Sequence, residues 1–251
     1  MMEPTMQMTL PRTLVDYNDP ASLGSRLRAR RVRRLASILR DVVAKTGRCE
    51  VLDVGGAASY WRLLDAPDLD RVRVTVLNIA AYRSQDPRES PPRHIKVGWE
   101  IGDGRDLSRY AAGGFDLTHA NSVVEHLRSF ADMRRFAGEM RRVGRGYWCQ
   151  TPNLWFPVDP HTGLPFVHWL PLGARVALHA RIGSGLEGRY DGVEATADSV
   201  EYVYPLNKTM LRALFPDAEI ATERLLGLPK SIIAVRQHPA VDGGAIPAAA
   251  G

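Results

Sequence analysis

The residues of this chain that could do chemistry sit where short apolar runs stop. Glu50-Val-Leu-Asp-Val54 runs straight into Gly55-Gly56-Ala57, so Asp53 stands just before a glycine turn. Arg71–Leu77 alternates Val with Arg and Thr and closes on Asn78 and Ile79. His94–Ile101 closes on Gly102-Asp103-Gly104, and Phe115–Ala120 on Asn121-Ser122. A glycine turn after a strand lets backbone N–H groups come close to a ligand. A second set is richer in bases and rings: His126, then Asp159, His161 and His168, interleaved with Trp155, Phe156, Phe166 and Trp169. Histidines and carboxylates are the usual general bases for an attacking hydroxyl, and the aromatics could wall an apolar pocket or cover a ligand. Each has a plainer alternative. Asp53 could cap its turn, Asp103 could be a turn residue and Asn78 could cap a loop. The histidines could be satisfied loop or packing residues, and the aromatics could pack a loop onto the core.

The elements that would carry these residues follow from hydrophobic period. Leu23, Leu27, Val32, Leu35, Ile38, Leu39, Val42 and Val43 recur at three- and four-residue spacing, with Ser22 as N-cap and Gly47 as stop, so the pattern predicts a helix. A further helix start is expected at Tyr60–Leu64, and helices at Phe130–Val143, around Leu172–Ile182 and at Lys208–Phe215. Strands are expected at 50–54, 71–77, 94–101, 115–120, 146–150, 218–222 and 231–236, with a Pro-rich loop at 80–93. Strand–helix alternation around an apolar strand that ends in glycines predicts an α/β fold: a doubly wound, mostly parallel, seven-stranded Rossmann-like sheet with helices on both faces. Residues 1–21 read as an N-terminal arm, 22–237 as a single domain with an insertion at 153–200 after strand five, and 238–251 as a disordered tail.

Such sheets bind ligands at the carboxyl ends of their strands. A dinucleotide site would want Gly-x-Gly-x-x-Gly and an acidic residue closing strand two. Here the run is Gly55-Gly56-Ala57-Ala58-Ser59-Tyr60, and Asn78 closes the strand. The pattern instead resembles the class I S-adenosylmethionine-dependent methyltransferases, in the bacterial small-molecule branch. The residues carrying the resemblance are Val51-Leu-Asp-Val-Gly-Gly56, Val76-Leu-Asn78, Gly102-Asp103-Gly-Arg-Asp-Leu107, Phe115-Asp-Leu and Asn121-Ser-Val-Val-Glu-His-Leu127. Leu214-Phe-Pro-Asp-Ala218 and Lys230-Ser-Ile-Ile-Ala234 resemble its closing segments.

That resemblance implies a set of roles. Asp53 would accept from the ligand's ammonium, directly or through water. Gly55, Gly56 and Ala57 would let the chain pass close to it. Asn78, where the family usually has an acid, would meet the ribose with Ile79 beside it. Asp103 and Gly104 would meet the adenine, and Asn121 and Ser122 would present backbone to the methionine part. His126 and His161 would be the catalytic bases. Trp155, Phe156, Asp159, His168 and Trp169 would line the acceptor site in the insertion. The acceptor would be a small molecule methylated at oxygen. No recognised metal-ligand spacing is present, so no metal is expected.

Composition bounds the rest. The chain has 251 residues, 45% of them hydrophobic, enough for one sizeable core. No apolar run approaches the roughly 18–20 residues that span a bilayer. Met1–Pro11 lacks the layout of a secretory signal. Cys49 and Cys149 make no disulfide framework. A cytoplasmic globular protein is expected. The net charge is +5, yet residues 21–48 alone carry +8, eight of their basic residues being Arg. A nucleic-acid-directed methyltransferase using this helix as a phosphate-binding face is therefore an alternative, as is a non-catalytic S-adenosylmethionine-binding protein. Nucleic acid remains the less expected partner, because no Asn-Pro-Pro-Tyr-type element for attacking a base amine is present.

Overall fold

A computed structural model describes residues 23–79, 92–159, 161–183, 191–201 and 203–237, and the side chains from residue 29 onward. The expected arm at 1–21, the tail at 238–251, the Ser22 cap and most of the Pro-rich loop lie outside the described residues. The elements are α1 (Leu23–Thr46), β1 (Cys49–Val54), α2 (Ala58–Trp61), β2 (Val72–Asn78), β3 (Lys96–Ile101), β4 (Phe115–Asn121), α3 (Phe130–Val143), β5 (Gly144–Pro152), α4 (Leu172–Ile182), α5 (Gly192–Glu201), α6 (Lys208–Leu214), β6 (Glu219–Leu225) and β7 (Leu228–Arg236).

The seven strands form one sheet in the order β3-β2-β1-β4-β5-β7-β6. Strands β1 to β5 pair in parallel, and β7 is antiparallel to both β5 and β6. The order reverses between β1 and β4, which opens a crevice at their carboxyl ends. Asp53 on β1 lies in register with Val76 on β2 and His119 on β4.

Each face of the sheet has its own core. On one, Val32, Leu35, Leu39 and Val42 of α1 pack with Val51, Val74, Trp61, Trp148 and Val235. Among the described side chains, the predicted stripe of α1 from Val32 to Val42 is therefore the buried one. Leu35 and Leu39 are fully buried, each contributing about 1.5–3 kcal/mol of apolar burial. On the other face, Met133, Phe136, Ala137 and Met140 of α3 and Leu211 and Leu214 of α6 cover Leu52, Ala120, Tyr147 and Ile232. Ser129 starts α3 by accepting from the Asp132 N–H at 3.1 Å, and Asn207 starts α6 by accepting from the Met210 N–H at 2.9 Å.

Three differences from the expected elements have local causes. Strand β3 begins at Lys96 rather than His94, because the N–H groups of Arg93 and His94 donate to the Asp65 carboxylate at 2.8 Å each. The β6–β7 strands are longer than expected and close through Leu226 and Gly227, both at positive φ, the two-residue turn that suits a right-twisted hairpin. Helix α5 was not expected: its Gly- and Ala-containing sequence buries only Thr196 and Val200, and it packs on α4, with Arg175 Nη1 donating to the Val200 carbonyl at 3.3 Å. Among the described residues no helix is long and apolar enough to cross a membrane.

Candidate active site

The β1–α2 turn is built from close approaches. Gly55 has φ +77°, a region costly for any residue with a Cβ, and its N–H donates to Leu77 O at 2.7 Å. A Cβ there would lie 2.6 Å from Val123 Cγ1. A Cβ on Gly56 would enter the Asp53 carboxylate. Gly55 is therefore required by contact as well as by conformation, and Gly56 by contact.

Asp53 itself lies beneath this turn, fully buried. Its carboxylate accepts from Trp61 Nε1 and His119 Nδ1, each at 2.7 Å. This corrects the expectation of a ligand-facing carboxylate: with both oxygens engaged and no exposed surface, Asp53 supports the turn from below. Asn78 ties the end of β2 to the same turn, donating from Nδ2 to Gly56 O at 3.0 Å and accepting from the Ile79 N–H at 2.9 Å. Each group of the side-chain amide keeps one further hydrogen-bonding site. Asp103 accepts from the backbone N–H of Arg105 at 2.8 Å, from its Nε at 3.0 Å and from its Nη2 at 2.7 Å. That guanidinium holds the Asp103 carboxyl below its ordinary range. Ser122 sits at φ 56°, with its N–H on Gln150 O at 3.0 Å.

These strand ends enclose a cleft of about 430 Å³, within the usual range for small-molecule sites. Gly55, Asn78, Ile79, Asp103, Gly104, Ser122 and His126 line it, over an apolar floor that includes Leu77, Val123 and Phe136. Gly56, Ala57 and Asn121 are not on its wall. Asn121 instead accepts from Arg31 Nη1 at 2.8 Å.

Arg31 was not anticipated as part of the site region. Its guanidinium leaves the basic helix and enters the carboxyl end of the sheet, reaching Gln150 Oε1 at 2.9 Å and the Glu223 carboxylate at 3.0 and 2.5 Å. Ser231 Oγ donates to the same Glu223. Nothing in its spacing separates Arg31 from its solvent-facing neighbours. Only the landing point of α1 on the sheet does so.

The acceptor-side residues fall into two groups. His126 ends a single 3-10 turn, Val124–His126, after β4. Its ring meets that of His161 edge-to-face, centroids 5.1 Å apart at 90°. Burial, reinforced by His161, lowers the His126 pKa to about 4, so its ring is neutral at pH 7. The His161 N–H donates to Asp159 Oδ1 at 2.8 Å, and its ring Nδ1 lies 3.4 Å from that oxygen. Burial works to raise the Asp159 pKa, but the hydrogen bonds from His161 outweigh it and hold the carboxyl below its ordinary range. Glu125 was missed as a site residue. It is fully buried, accepts from Thr151 Oγ1 at 3.0 Å, and is raised by burial to about 7.

The second group faces elsewhere. His168 Nε2 and Trp169 Nε1 both bond the Leu154 carbonyl, at 3.0 and 2.6 Å, and so fix the insertion's own loop. Trp155 and Trp169 are exposed, 6.4 Å apart, and Phe156 is tied by its N–H to Asn153 O at 2.9 Å. None of Trp155, Phe156, Asp159, His168 and Trp169 lines the 430 Å³ cleft.

The strand order, parallel from β1 to β5 with an antiparallel final hairpin, is the Rossmann-like fold expected from the sequence, and the glycine turn and the ligand-sized cleft lie at its switch point. Among solved structures the chain is similar to a DszA carbon methyltransferase, at 15% identity, covering 90% of this chain and 58% of that one, with a TM-score of 0.55. It is also similar to the PH0226 protein from Pyrococcus horikoshii OT3, at 18% identity over 91% and 97% of the two chains, with a TM-score of 0.50. No family model and no curated protein matches the sequence. At these identities the likeness is one of fold.

Proposed function

We propose that this protein is an S-adenosylmethionine-dependent methyltransferase acting on a hydroxyl of a small molecule. The observation that carries the reading is that Gly55, Asn78, Ile79, Asp103, Gly104 and Ser122, chosen from the motifs, line one cleft of about 430 Å³. The fit to the cofactor is supported by the turn itself: Gly55 packs tightly on Val123, and Gly56 on the Asp53 carboxylate, which fixes the backbone of Gly55 at the cleft wall.

When bound, S-adenosylmethionine supplies an electrophilic methyl group, which passes to the acceptor oxygen as the carbon–sulfur bond breaks onto sulfur. The chain's own part is to hold and to orient. Asn78 and Asp103 present acceptors at the ends of β2 and β3, and Gly104 presents backbone. Val123, Leu77 and Phe136 exclude water from the floor. His126 stands at the cleft wall with His161 next to it, and the two mark the end of the cleft at which the acceptor's hydroxyl would lie. Positioning two reactants in line supplies much of the barrier reduction for such a transfer.

Calorimetry with S-adenosylmethionine and S-adenosylhomocysteine tests the reading. One-to-one binding of both is expected, and failure of both to bind overturns it. Asp103→Ala should weaken binding about tenfold, or ~1.4 kcal/mol, with an unchanged thermal melt. An unchanged affinity would reduce Asp103 to a turn residue held by Arg105.

A further inference from the structure

The cluster behind the cleft wall holds more than the methyltransferase reading uses. Glu125 is fully buried, and only its Oε2 is engaged, by Thr151. Its Oε1 is also buried and has no hydrogen-bond partner among the described residues. A buried carboxylate oxygen without a donor is costly, and sites of this kind call for an explanation. The carboxylate does not stand among hydrocarbon alone: one ligand atom each from Glu125, His126 and His161 lie within 4.8 Å of one another. Donors on one tetrahedral ion about 2.1 Å away would stand roughly 3.4 Å apart, so modest side-chain rotation closes the set.

The surroundings match what a metal centre needs. Asp159, 3.4 Å from His161 Nδ1, makes the carboxylate–histidine pairing that orients metal-ligating rings and raises their basicity. His126 is held by its 3-10 turn, its N–H donating to Val123 O at 3.0 Å. Two imidazoles and one carboxylate favour zinc, manganese or iron(II) over magnesium or calcium, which prefer all-oxygen sites. Three protein ligands leave coordination positions open, as catalytic rather than structural sites do. His126 also lines the cleft, so an ion here is reachable from it.

We propose that Glu125, His126 and His161 form a binding site for a divalent transition-metal ion at the acceptor end of the cleft, where the ion takes the acceptor's hydroxyl oxygen as a ligand. The hydroxyl then gives its proton to water and keeps the lone pair that attacks, so the histidines serve as ligands and not as bases. The use made of the ion rests on the methyltransferase reading. Its binding does not.

The test uses the full chain without a histidine tag, stripped with chelator and titrated with Zn²⁺ and Mn²⁺ by calorimetry and with Co²⁺ by visible absorption. One equivalent is expected to bind. Glu125→Gln and His161→Ala should each weaken binding at least tenfold, whereas His168→Ala should not, since His168 is committed to Leu154 O. Thermal melts verify folding, and if Glu125→Gln does not fold, His161→Ala decides. The proposal falls if the wild-type chain binds less than one equivalent of every ion, or if His161→Ala binds as the wild type does. S-adenosylhomocysteine is titrated into the same samples. Its binding without any metal binding sinks the metal site alone, and metal binding without it sinks the methyltransferase reading alone.

Discussion

Asp53 is the residue whose role changes most between the sequence and the fold. A carboxylate closing an apolar strand before glycines reads naturally as a ligand contact. In the sheet it is the acceptor for two buried donors, Trp61 Nε1 and His119 Nδ1. Asp53→Ala would orphan both, at about 1–3 kcal/mol for each stranded donor, a large part of the roughly 5–15 kcal/mol that holds a domain together. We expect this variant to lose stability first, and cofactor affinity only through the turn that Asp53 supports. Chemical denaturation beside S-adenosylhomocysteine titration separates the two effects. A variant that unfolds at the wild-type midpoint yet fails to bind would return Asp53 to the ligand. The strand end and the glycines were legible because they are contiguous in sequence. His119 was not, since it is 66 residues away and meets Asp53 only through the β1–β4 register. Glu125 escaped for a similar reason: in Val-Val-Glu-His nothing shows that the carboxylate turns inward beneath Thr151 and beside His161.

At the scale of elements, α1 shows both what hydrophobic period reveals and where it stops. Its apolar stripe was readable, and that stripe packs on the sheet. Its arginines looked alike, yet Arg31 is largely buried on Glu223 while Arg30 faces solvent. Removing one partner of a buried pair typically costs about 3–5 kcal/mol, so Arg31→Ala should lower stability by that order. Arg30→Ala should stay within about 0.5 kcal/mol. Denaturant midpoints check the ranking. A phosphate-binding face predicts the reverse in another assay: salt-sensitive nucleic-acid binding lost with exposed Arg30 and Arg33 while Arg31 matters only to folding. Helix α5 lay beyond reach of the same reasoning, because two inward residues four apart, Thr196 and Val200, are too few to set a period.

At the scale of the whole molecule, part of the basic surplus is paired with carboxylates of other elements. Arg34 pairs with Glu219 and Arg40 with Asp68, so α1 is joined by charge to segments far from it in sequence. A second junction lies at Asp217, whose carboxylate accepts from Arg141 of α3 at 2.9 Å, Tyr147 of β5 at 2.9 Å and Arg236 of β7 at 2.6 Å. Burial works to raise the Asp217 pKa, but the hydrogen bonds from Tyr147 and Arg236 outweigh it and the net direction is down. A carboxyl depressed in the folded state contributes stability above its unfolded pKa of about 3.9, and that contribution is lost as pH falls through the folded value. Asp217→Asn keeps an acceptor for Tyr147 and removes the charge. Thermal melts of both proteins from neutral pH downward should therefore show the variant melting lower at pH 6–7, with the gap closing below about pH 4 as the wild-type carboxyl takes up its proton. A gap of constant width across that range would mean that Asp217 joins the three elements by shape and hydrogen bonding, with no share from its charge.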